Sequence, residues 1–457
     1  MNTQHVATGL IPLGGEGGGG CADGACAMPA APAVQFRRIV VTGMGIVSPL
    51  GSGVEAAWTN LIEGRSGISR LAPGFADDVA SQVVGRVPGA GQPAGLDIDQ
   101  VIAPKDHKKM DRFIQFAIAA ADEAIAQAGW AHPDEAAGAR TATVIATGIG
   151  GFPAIAEAVR TVDTRSARRL SPFTAPSFLA NLAAGWVSIR HGYKGPIGAP
   201  VTACAASAQA IGDAARLIRS GEADIAVCGG AEASIDHVSL GVFGAARALS
   251  SDFNETPELA SRPFDTARDG FVMSEGAGML VLEALEHALA RGAVPIAELV
   301  GYGTNSDAYH LTASPEDGAG AQRAMRAAIA QAGISPDQIG HLNAHATSTQ
   351  VGDASELAAI KAVFGENARL AISATKSSTG HMLGAAGGVE AIFAVLALRD
   401  GVAPPTRNLQ TADPAARGLD IVGKDARAID TDYAISNGFG FGGVNASVIF
   451  KRWRGAA

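Results

Sequence analysis

The feature that most constrains the fold is a repeated alternation between short apolar runs that end in glycine and longer alanine-rich segments. The runs at 37–51 and 142–151 have the length of buried strands, and the segment at 110–129 has apolar residues at a helical period before a glycine. The same alternation resumes after residue 290. Strands alternating with helices favour parallel sheets covered on both faces, so the sequence predicts an α/β fold from two duplicated halves.

These patterns divide the chain into three parts. Residues 1–36 form a leader rich in glycine, alanine and proline, which we expect to be disordered. Residues 37–290 form the first half and residues 291–457 the second. The leader lacks the basic start and apolar stretch of a signal peptide, and Met28 is an alternative start.

Composition excludes several classes of function. No apolar run approaches the roughly 18 residues of a membrane-spanning helix, so none is expected. The net charge of −9 argues against general nucleic-acid binding but allows an acidic protein partner at a locally basic face. Four cysteines in 457 residues do not form a disulfide framework. Because Cys204 and Cys228 lie in apolar segments, we expect a reducing compartment, the cytoplasm.

One cysteine occupies a position suited to a nucleophile. In VTACAASAQAIGDAARLI, Cys204 follows a short strand-like run and begins an alanine-rich helix among small residues. A helix N-terminus carries unpaired N–H groups and partial positive charge, which lower a thiol pKa and can face an oxyanion. A buried structural thiol is the alternative, because free cysteine is among the most buried residue types. The choice depends on whether a base or an electrostatic partner accompanies the thiol.

The second half supplies such partners at the ends of predicted strands. NAHATSTQVGD places His345 in a loop rich in hydroxyls. SATKSSTGHMLGAAGGVE places Lys376, His381 and Glu390 around a strand–helix junction. In open α/β sheets, ligands gather at the carboxyl ends of strands. The sequence therefore favours a reactive Cys204.

Two other patterns match motifs without their context. GFGFGG, at 438–443, matches the dinucleotide fingerprint but ends 14 residues before the C-terminus, with no room for the βαβ unit. His341 and His345 are four residues apart, but on a strand and loop without the glutamate of a zinc-protease helix. Cys21 and Cys26 offer too few ligands for a metal site. No metal is therefore implied.

Four motifs together resemble a known family. They are TAC at 202–204, NAHATST at 343–349, TKSSTGH at 375–381 and NGFGFGGVN at 437–445. On these motifs the chain resembles the type II β-ketoacyl-[acyl-carrier-protein] synthases that elongate fatty acids. The resemblance implies a thiolase-type fold of five layers, α-β-α-β-α, usually built as a homodimer. It also implies a decarboxylating Claisen condensation of an acyl thioester with malonyl-carrier protein, through an acyl-cysteine.

The resemblance also assigns roles to individual residues. It implies a nucleophilic Cys204, an enolate stabilised by His345 and His381, and a Lys376–Glu390 charge pair that orients the site. It implies an oxyanion hole formed by the backbone N–H groups of Cys204 and Phe439, and a gate at Phe439. It also implies an acyl pocket at Ile149 and Phe243 and pantetheine-binding hydroxyls at Thr347 and Thr349. Asp353 and Glu356 are interpreted as structural carboxylates. Core packing is the alternative for the two pocket residues. No cofactor is expected, because the phosphopantetheine arm arrives on the carrier protein.

Docking of an acidic carrier protein on an acidic enzyme requires a local basic face. The residues that match the family's docking surface are Lys105, Lys108, Lys109, Arg168, Arg169 and Arg247. Solvated surface charge is the alternative, and a docking contact would weaken as salt rises.

Departures from the usual family pattern leave the pathway open. Ala346 stands where glycine is usual and Val444 where threonine is usual. A specialised synthase for a polyketide, a signalling lipid or an unusual fatty acid is therefore an alternative. A non-catalytic chain-length partner is disfavoured because Cys204 and both histidines are present, and a thiolase is disfavoured by the segment from Lys376 to His381.

Overall fold

The computed structural model describes residues 37–365 and 369–455. The predicted leader, residues 1–36, lies outside the described residues together with Cys21 and Cys26. The described strands, numbered along the chain, are β1 (Ile39–Ser48), β2 (Gly51–Ser52), β3 (Ile68–Arg70), β4 (Val83–Gly85), β5 (Thr141–Ala146), β6 (Ile197–Gly198), β7 (Ile225–Glu232), β8 (Met273–Ser274), β9 (Gly276–Ala284), β10 (Ala297–Ser306), β11 (Ile339–Asn343), β12 (Ala371–Ser373), β13 (Val402–Ala403), β14 (Arg427–Ala428), β15 (Tyr433–Gly440) and β16 (Val444–Arg452).

Helices connect most of these strands along the chain. The described α-helices are α1 (Val54–Ile62), α2 (Ile98–Val101), α3 (Pro104–His107), α4 (Arg112–Ala128), α5 (Glu135–Ala139), α6 (Phe152–Thr164), α7 (Thr174–Phe178), α8 (Leu182–His191), α9 (Ala206–Arg219), α10 (His237–Ala245), α11 (Leu285–Ala290), α12 (Ala319–Ala332), α13 (Gln350–Phe364), α14 (Lys376–Thr379) and α15 (Ala386–Asp400). Among the described residues, no helix combines the length and apolarity needed to cross a bilayer.

The two predicted halves contribute equivalent parts of one sheet. Its strand order is β12-β11-β15-β16-β10-β1-β9-β7-β5-β6, with β2 paired to β1. Strands β10, β16, β15, β11 and β12 thus occupy the places in the second half that β1, β9, β7, β5 and β6 occupy in the first. The halves join where β1 runs antiparallel to β10, with Val40 opposite Glu298. This equivalence is the duplicated architecture that the repeated strand–helix order predicts.

The sheet is mixed rather than wholly parallel. Pairing is parallel among the outer strands β7, β5 and β6 and among β15, β11 and β12. Strands β9 and β16 return antiparallel beside β1 and β10. Helical crossovers are needed only between parallel neighbours, so the prediction of parallel sheets holds for the outer strands alone.

Helices complete the five layers of the thiolase-type fold. Helices α4 and α8 pack on one face of the first half-sheet, and α12 and α13 lie on the far side of the second. Helices α9 and α15 lie between the halves, because α9 contacts β7 and β16 while α15 contacts β9 and β15. The central layer therefore carries side chains from both halves to a common region. The predicted boundary at residue 290 stays a prediction, since the chain from Arg37 onward forms one compact unit.

Small residues allow the central helix α15 to approach the sheet closely. A Cβ atom on Gly278 of β9 would overlap the backbone nitrogen of Val389 and lie 2.5 Å from the carbonyl carbon of Gly388. The backbones of β9 and α15 therefore touch without an intervening side chain. This contact fixes the height of α15, which carries Glu390, above the sheet.

Candidate active site

Cys204 lies in a sharp turn at the start of the central helix α9. A 3₁₀ turn, Ala203–Ala205, leads into α9, and Ala203 has a φ of 50°. The backbone of β15 packs on this turn, since a Cβ on Gly440 would lie 2.8 Å from the carbonyl oxygen of Thr202. Cys204 is partly exposed to a cavity, whereas Cys228 in β7 is fully buried. The structural interpretation therefore fits Cys228, and Cys204 has the access that a nucleophile needs.

Two buried histidines from the second half lie against this thiol. His345 follows β11, and His381 follows the short helix α14 that succeeds β12. Nε2 of His381 is 2.9 Å from Sγ of Cys204. The rings of His345 and His381 are perpendicular, with centroids 5.5 Å apart. The structure thus brings Cys204 together with two histidines that follow it in the sequence by more than 100 positions.

Desolvation controls the charge of all three groups. It lowers the pKa of His345 and of His381 well below the usual value, and the charge of Lys376 acts in the same direction. Both imidazoles are therefore neutral at physiological pH. Desolvation also raises the pKa of Cys204 to about 11, against the charge of Lys376 and hydrogen bonds from backbone N–H groups. The lowered thiol pKa predicted from the helix N-terminus is wrong in direction, because enclosure outweighs the helix end.

A buried ion pair fixes the proton on His345. Nζ of Lys376 lies 2.5 Å from Oε1 of Glu390 and donates to the carbonyl oxygen of His345 at 2.6 Å. The same ammonium is 3.4 Å from Nδ1 of His345. Since an ammonium can only donate, Nδ1 accepts and the ring proton lies on Nε2. Burial raises the pKa of Glu390 to about 7, and Lys376 opposes this rise. The predicted charge pair is thus in place.

The backbone amide that faces the sulfur differs from the predicted one. The backbone N–H groups of Phe441 and of Cys204 itself lower the pKa of the Cys204 thiol, against the effect of burial. The sequence interpretation assigned this amide, and the gate, to Phe439. Phe439 lies within β15, and its ring packs on His345 with centroids 5.8 Å apart. Phe441 lies in the turn beyond that strand, before two glycines with positive φ, and is 40% exposed. The amide next to the sulfur is therefore that of Phe441 and not that of Phe439, while the oxyanion role stays a prediction.

Two further carboxylates position the loops of the site. Glu356 accepts from the backbone N–H groups of His345 and Ala346, which supports its predicted structural role. Glu232 was not predicted; it is fully buried and accepts from the backbone N–H groups of Gly148 and Gly384. It therefore joins the loop before Ile149 to the loop after His381. The sequence signal available for it was an acid at the end of an otherwise apolar strand.

The thiol opens into a cavity of about 550 Å³. Ile149, Phe243, Phe271 and Leu383 line its apolar part, and the first two belong to one apolar cluster with Cys204. Thr347 and Thr349 line another part, with their hydroxyls 3.1 Å apart. The predicted pocket and pantetheine-binding residues are thus all exposed to one cavity. Their roles stay predictions.

The predicted docking residues lie in two neighbouring segments and at the cavity. Lys105, Lys108 and the half-buried Lys109 lie in and just after α3, and Lys109 stands over the ring of Phe173 at 5.6 Å. Phe173 follows the exposed pair Arg168 and Arg169 in the chain. Arg247 lines the cavity, with a φ of 54°. These six residues are the predicted basic face, of which Arg247 alone lines the cavity, and its docking role stays a prediction.

Fold and site together define a thiolase-fold acyltransferase, in which a cysteine of the first half meets neutral imidazoles of the second. More narrowly, the chain belongs to the β-ketoacyl synthase family. Residues 36–288 match the beta-ketoacyl synthase N-terminal domain and residues 296–410 its C-terminal domain. The chain is 48% identical over 422 residues to 3-oxoacyl-[acyl-carrier-protein] synthase 2 of Rhizobium meliloti, covering 92% of this chain and all of the relative.

Other similar proteins agree with this family. The mitochondrial 3-oxoacyl-[acyl-carrier-protein] synthase of Arabidopsis thaliana is 47% identical, with 91% of this chain and 93% of the relative covered. A ketosynthase of a type II polyketide synthase, solved with its acyl-carrier protein, is 33% identical with a TM-score of 0.82. A β-ketoacyl synthase of Burkholderia phymatum is 36% identical with a TM-score of 0.83. Each structural match covers 92% of this chain and all of the other.

Proposed function

We propose that this chain is a β-ketoacyl-[acyl-carrier-protein] synthase that elongates fatty acids through Cys204, His345 and His381. The observation that carries the proposal is the contact between Sγ of Cys204 and Nε2 of His381, with a second neutral imidazole beside it. Family membership supports the reaction, and the geometry supports the residues. Because both rings are neutral, neither needs a carboxylate partner, and each can donate an N–H hydrogen bond to developing negative charge.

Acylation is the first half-reaction. The Cys204 sulfur attacks the carbonyl carbon of an acyl thioester, and the new C–S bond replaces the bond to the phosphopantetheine sulfur. The thiol is protonated at rest, so its proton must leave during attack, and Nε2 of His381 at 2.9 Å is placed to receive it. The displaced pantetheine thiolate then takes that proton from Nε2 of His381, which returns to its neutral form. Backbone N–H groups of Cys204 and Phe441 face the oxyanion.

Condensation is the second half-reaction. The C–C bond between the malonyl carbon and the carboxylate breaks, and carbon dioxide leaves. The electron pair of that bond forms an enolate of the thioester. The Nε2–H of His345 donates to the enolate oxygen, since Lys376 holds the other ring nitrogen as an acceptor. The enolate carbon then attacks the acyl-cysteine carbonyl, and the Cys204 thiolate leaves and takes up the one proton that the overall reaction consumes from solvent.

The proposal includes the partners and the setting of the enzyme. Acyl and malonyl groups arrive on an acyl carrier protein that docks on the basic face. Because the carrier protein brings the phosphopantetheine arm, the reaction needs no cofactor bound by the enzyme itself. Thr347 and Thr349 bind that arm. The cytoplasm is the proposed location.

A homodimer is supported by an apolar surface around an edge strand. β6 is the last strand of the sheet, and Ile197 within it is 57% exposed. Ile189 on α8, which contacts β6, is 73% exposed, and Val159 on α6 and Val242 on α10 are 55% and 56% exposed. An edge strand with apolar neighbours is suited to pairing with a second copy. Ile197→Lys should shift the chain from dimer to monomer in light-scattering chromatography, whereas a monomeric unsubstituted chain would contradict the proposal.

Carbon dioxide release tests the function directly. Carboxyl-labelled malonyl-carrier protein should lose labelled carbon dioxide in proportion to 3-oxoacyl product, and mass spectrometry should find an acyl group on Cys204. Cys204→Ala should remove the acyl adduct while the fold is retained. A thiolase would form product without that carbon dioxide, and a non-catalytic chain-length partner would form no acyl-enzyme. Either result would overturn the proposal.

A specialised synthase with the same chemistry is the second candidate. It is favoured by structural similarity to the ketosynthase/chain length factor of ishigamide, at 34% identity and a TM-score of 0.83. Supplying carrier proteins loaded with saturated chains or with poly-β-keto chains separates the two. Preference for the saturated series identifies a fatty-acid elongase, and preference for the poly-β-keto series identifies the specialised enzyme.

A further inference from the structure

The three catalytic side chains also form a set of soft metal ligands. Sγ of Cys204 and one ring nitrogen from each of His345 and His381 all lie within 4.8 Å of one another. The three residues come from separate segments of the chain and converge on one point beside the cavity. A thiolate with two imidazoles is a ligand set that zinc prefers, and an open fourth position is typical of sites that also bind small molecules.

The local geometry is close to what a zinc ion needs. Zinc binds thiolate at about 2.3 Å and imidazole at about 2.0–2.1 Å, which separates tetrahedral ligand atoms by roughly 3.3–3.7 Å. The 2.9 Å distance between Sγ of Cys204 and Nε2 of His381 would lengthen to reach this range, and any longer distance between ligand atoms would shorten. Nδ1 of His381 has no hydrogen-bond partner among the described residues, so either ring nitrogen can carry its proton.

We propose that Cys204, His345 and His381 bind Zn²⁺, and that the bound ion inhibits the enzyme. The step is an exchange: the S–H bond of Cys204 breaks, its proton passes to the buffer, and the sulfur lone pair forms the bond to zinc. No electron is transferred. Both the sulfur and the Nε2 atoms are then engaged, so neither acylation nor enolate stabilisation can proceed.

Lys376 opposes this binding. Its ammonium is 3.4 Å from Nδ1 of His345 and keeps the proton on Nε2, the nitrogen available to a metal. Binding through Nε2 moves that proton to Nδ1, where it meets the ammonium. The buried charge of Lys376 also repels a cation. Lys376 therefore has a second role as a positioning residue, besides orienting the site for condensation. It weakens metal binding by holding His345 in the tautomer with its proton on Nε2.

Cobalt(II) provides a test that does not depend on activity, because thiolate ligation gives a sulfur-to-metal charge-transfer band. The full chain carrying Cys21→Ser and Cys26→Ser lacks the two thiols that lie outside the described residues. This protein should show the band at one Co²⁺ per chain, and Zn²⁺ should abolish it by displacement. Cys204→Ala should remove the band, whereas Cys228→Ala, at a fully buried thiol that is not part of this ligand set, should retain it. Absence of the band at millimolar Co²⁺, or its survival in Cys204→Ala, overturns the proposal.

The role of Lys376 is tested in the same spectrum. Lys376→Met combined with Glu390→Gln removes both buried charges together, so that no unpaired carboxylate is left. This variant should bind Co²⁺ at least about tenfold more tightly, because His345 can then carry its proton on Nδ1. Circular dichroism reports whether it folds. Equal or weaker binding in a folded variant would overturn the tautomer argument, and Glu390→Gln alone is the matched single substitution.

Discussion

At the scale of single residues, the resting state of Cys204 differs from that of most catalytic cysteines. Its thiol is protonated, because desolvation raises its pKa to about 11. Reactivity must therefore come from proton transfer during attack rather than from a standing thiolate. The neighbouring imidazole of His381 is neutral and can accept that proton, so the pair generates the nucleophile only when an electrophile is bound.

The rate of Cys204 alkylation should report this state. Between pH 7 and pH 9 the fraction of thiolate rises about tenfold per pH unit for a thiol whose pKa lies well above that range. Iodoacetamide labelling of Cys204, followed by mass spectrometry, should rise accordingly and reach no plateau below pH 9. A plateau near pH 7 would show a lowered pKa instead. Because Cys228 is buried, its lack of labelling is the internal check that the fold is intact.

The two histidines should separate in kinetics. His381→Ala removes the group beside the sulfur and should slow both cysteine acylation and malonyl decarboxylation by about 10²-fold or more. His345→Ala should slow decarboxylation by a similar factor and change acylation little. Burst acylation and carbon dioxide release measure the two steps. The exposed His310→Ala is the control, and equal loss of both steps in His345→Ala would contradict the division of roles.

At the scale of elements, the contact between β9 and α15 sets the position of the ion pair. Gly278→Ala would force a methyl group into the backbone of α15 and should lower the free energy of unfolding by about 1–3 kcal/mol. Activity should fall as well, because Glu390 moves with α15. Urea unfolding measures the first effect and product formation the second.

Gly241→Ala is the matched control for that substitution. A Cβ on Gly241 meets nothing within 4 Å, and the residue lies within α10. Alanine should therefore leave stability unchanged or raise it by up to about 1 kcal/mol. Equal stability of both variants would show that β9 and α15 are less tightly apposed than the structure has them.

Elements and motifs were more predictable from the sequence than the contacts between them. Cys204, His345, Lys376 and His381 each stand at a strand end in a distinctive motif, so their convergence could be predicted. The amide at the sulfur could not, because the path of the turn after β15 decides whether Phe439 or Phe441 faces it. Glu232 was missed because an acid in an apolar strand gives no sign of the two loops that it joins. The thiol pKa had the wrong direction because enclosure depends on both halves.

At the scale of the whole molecule, charge is distributed unevenly over an acidic protein. The basic face next to the cavity should bring in a negatively charged carrier protein by long-range attraction, and this attraction should weaken as salt rises. Substrates without a carrier protein would not experience it.

Charge reversal on that face should separate docking from chemistry. Lys105→Glu, Lys108→Glu and Arg168→Glu together should raise KM for carrier-bound acyl groups about tenfold or more and leave kcat close to that of the unsubstituted chain. Turnover of a small acyl-pantetheine thioester should be unaffected. Lys424→Glu, at a side chain 85% exposed elsewhere, is the control. An equal loss with the small thioester would contradict a docking role.

The division of the site between two halves has a consequence for the newly made chain. The sulfur belongs to the part that leaves the ribosome first, while the base that activates it belongs to the part that leaves last. A nascent or half-folded molecule therefore lacks the proposed base beside its sulfur, so acyl transfer by the mechanism proposed above has to wait until the second half has folded against the first.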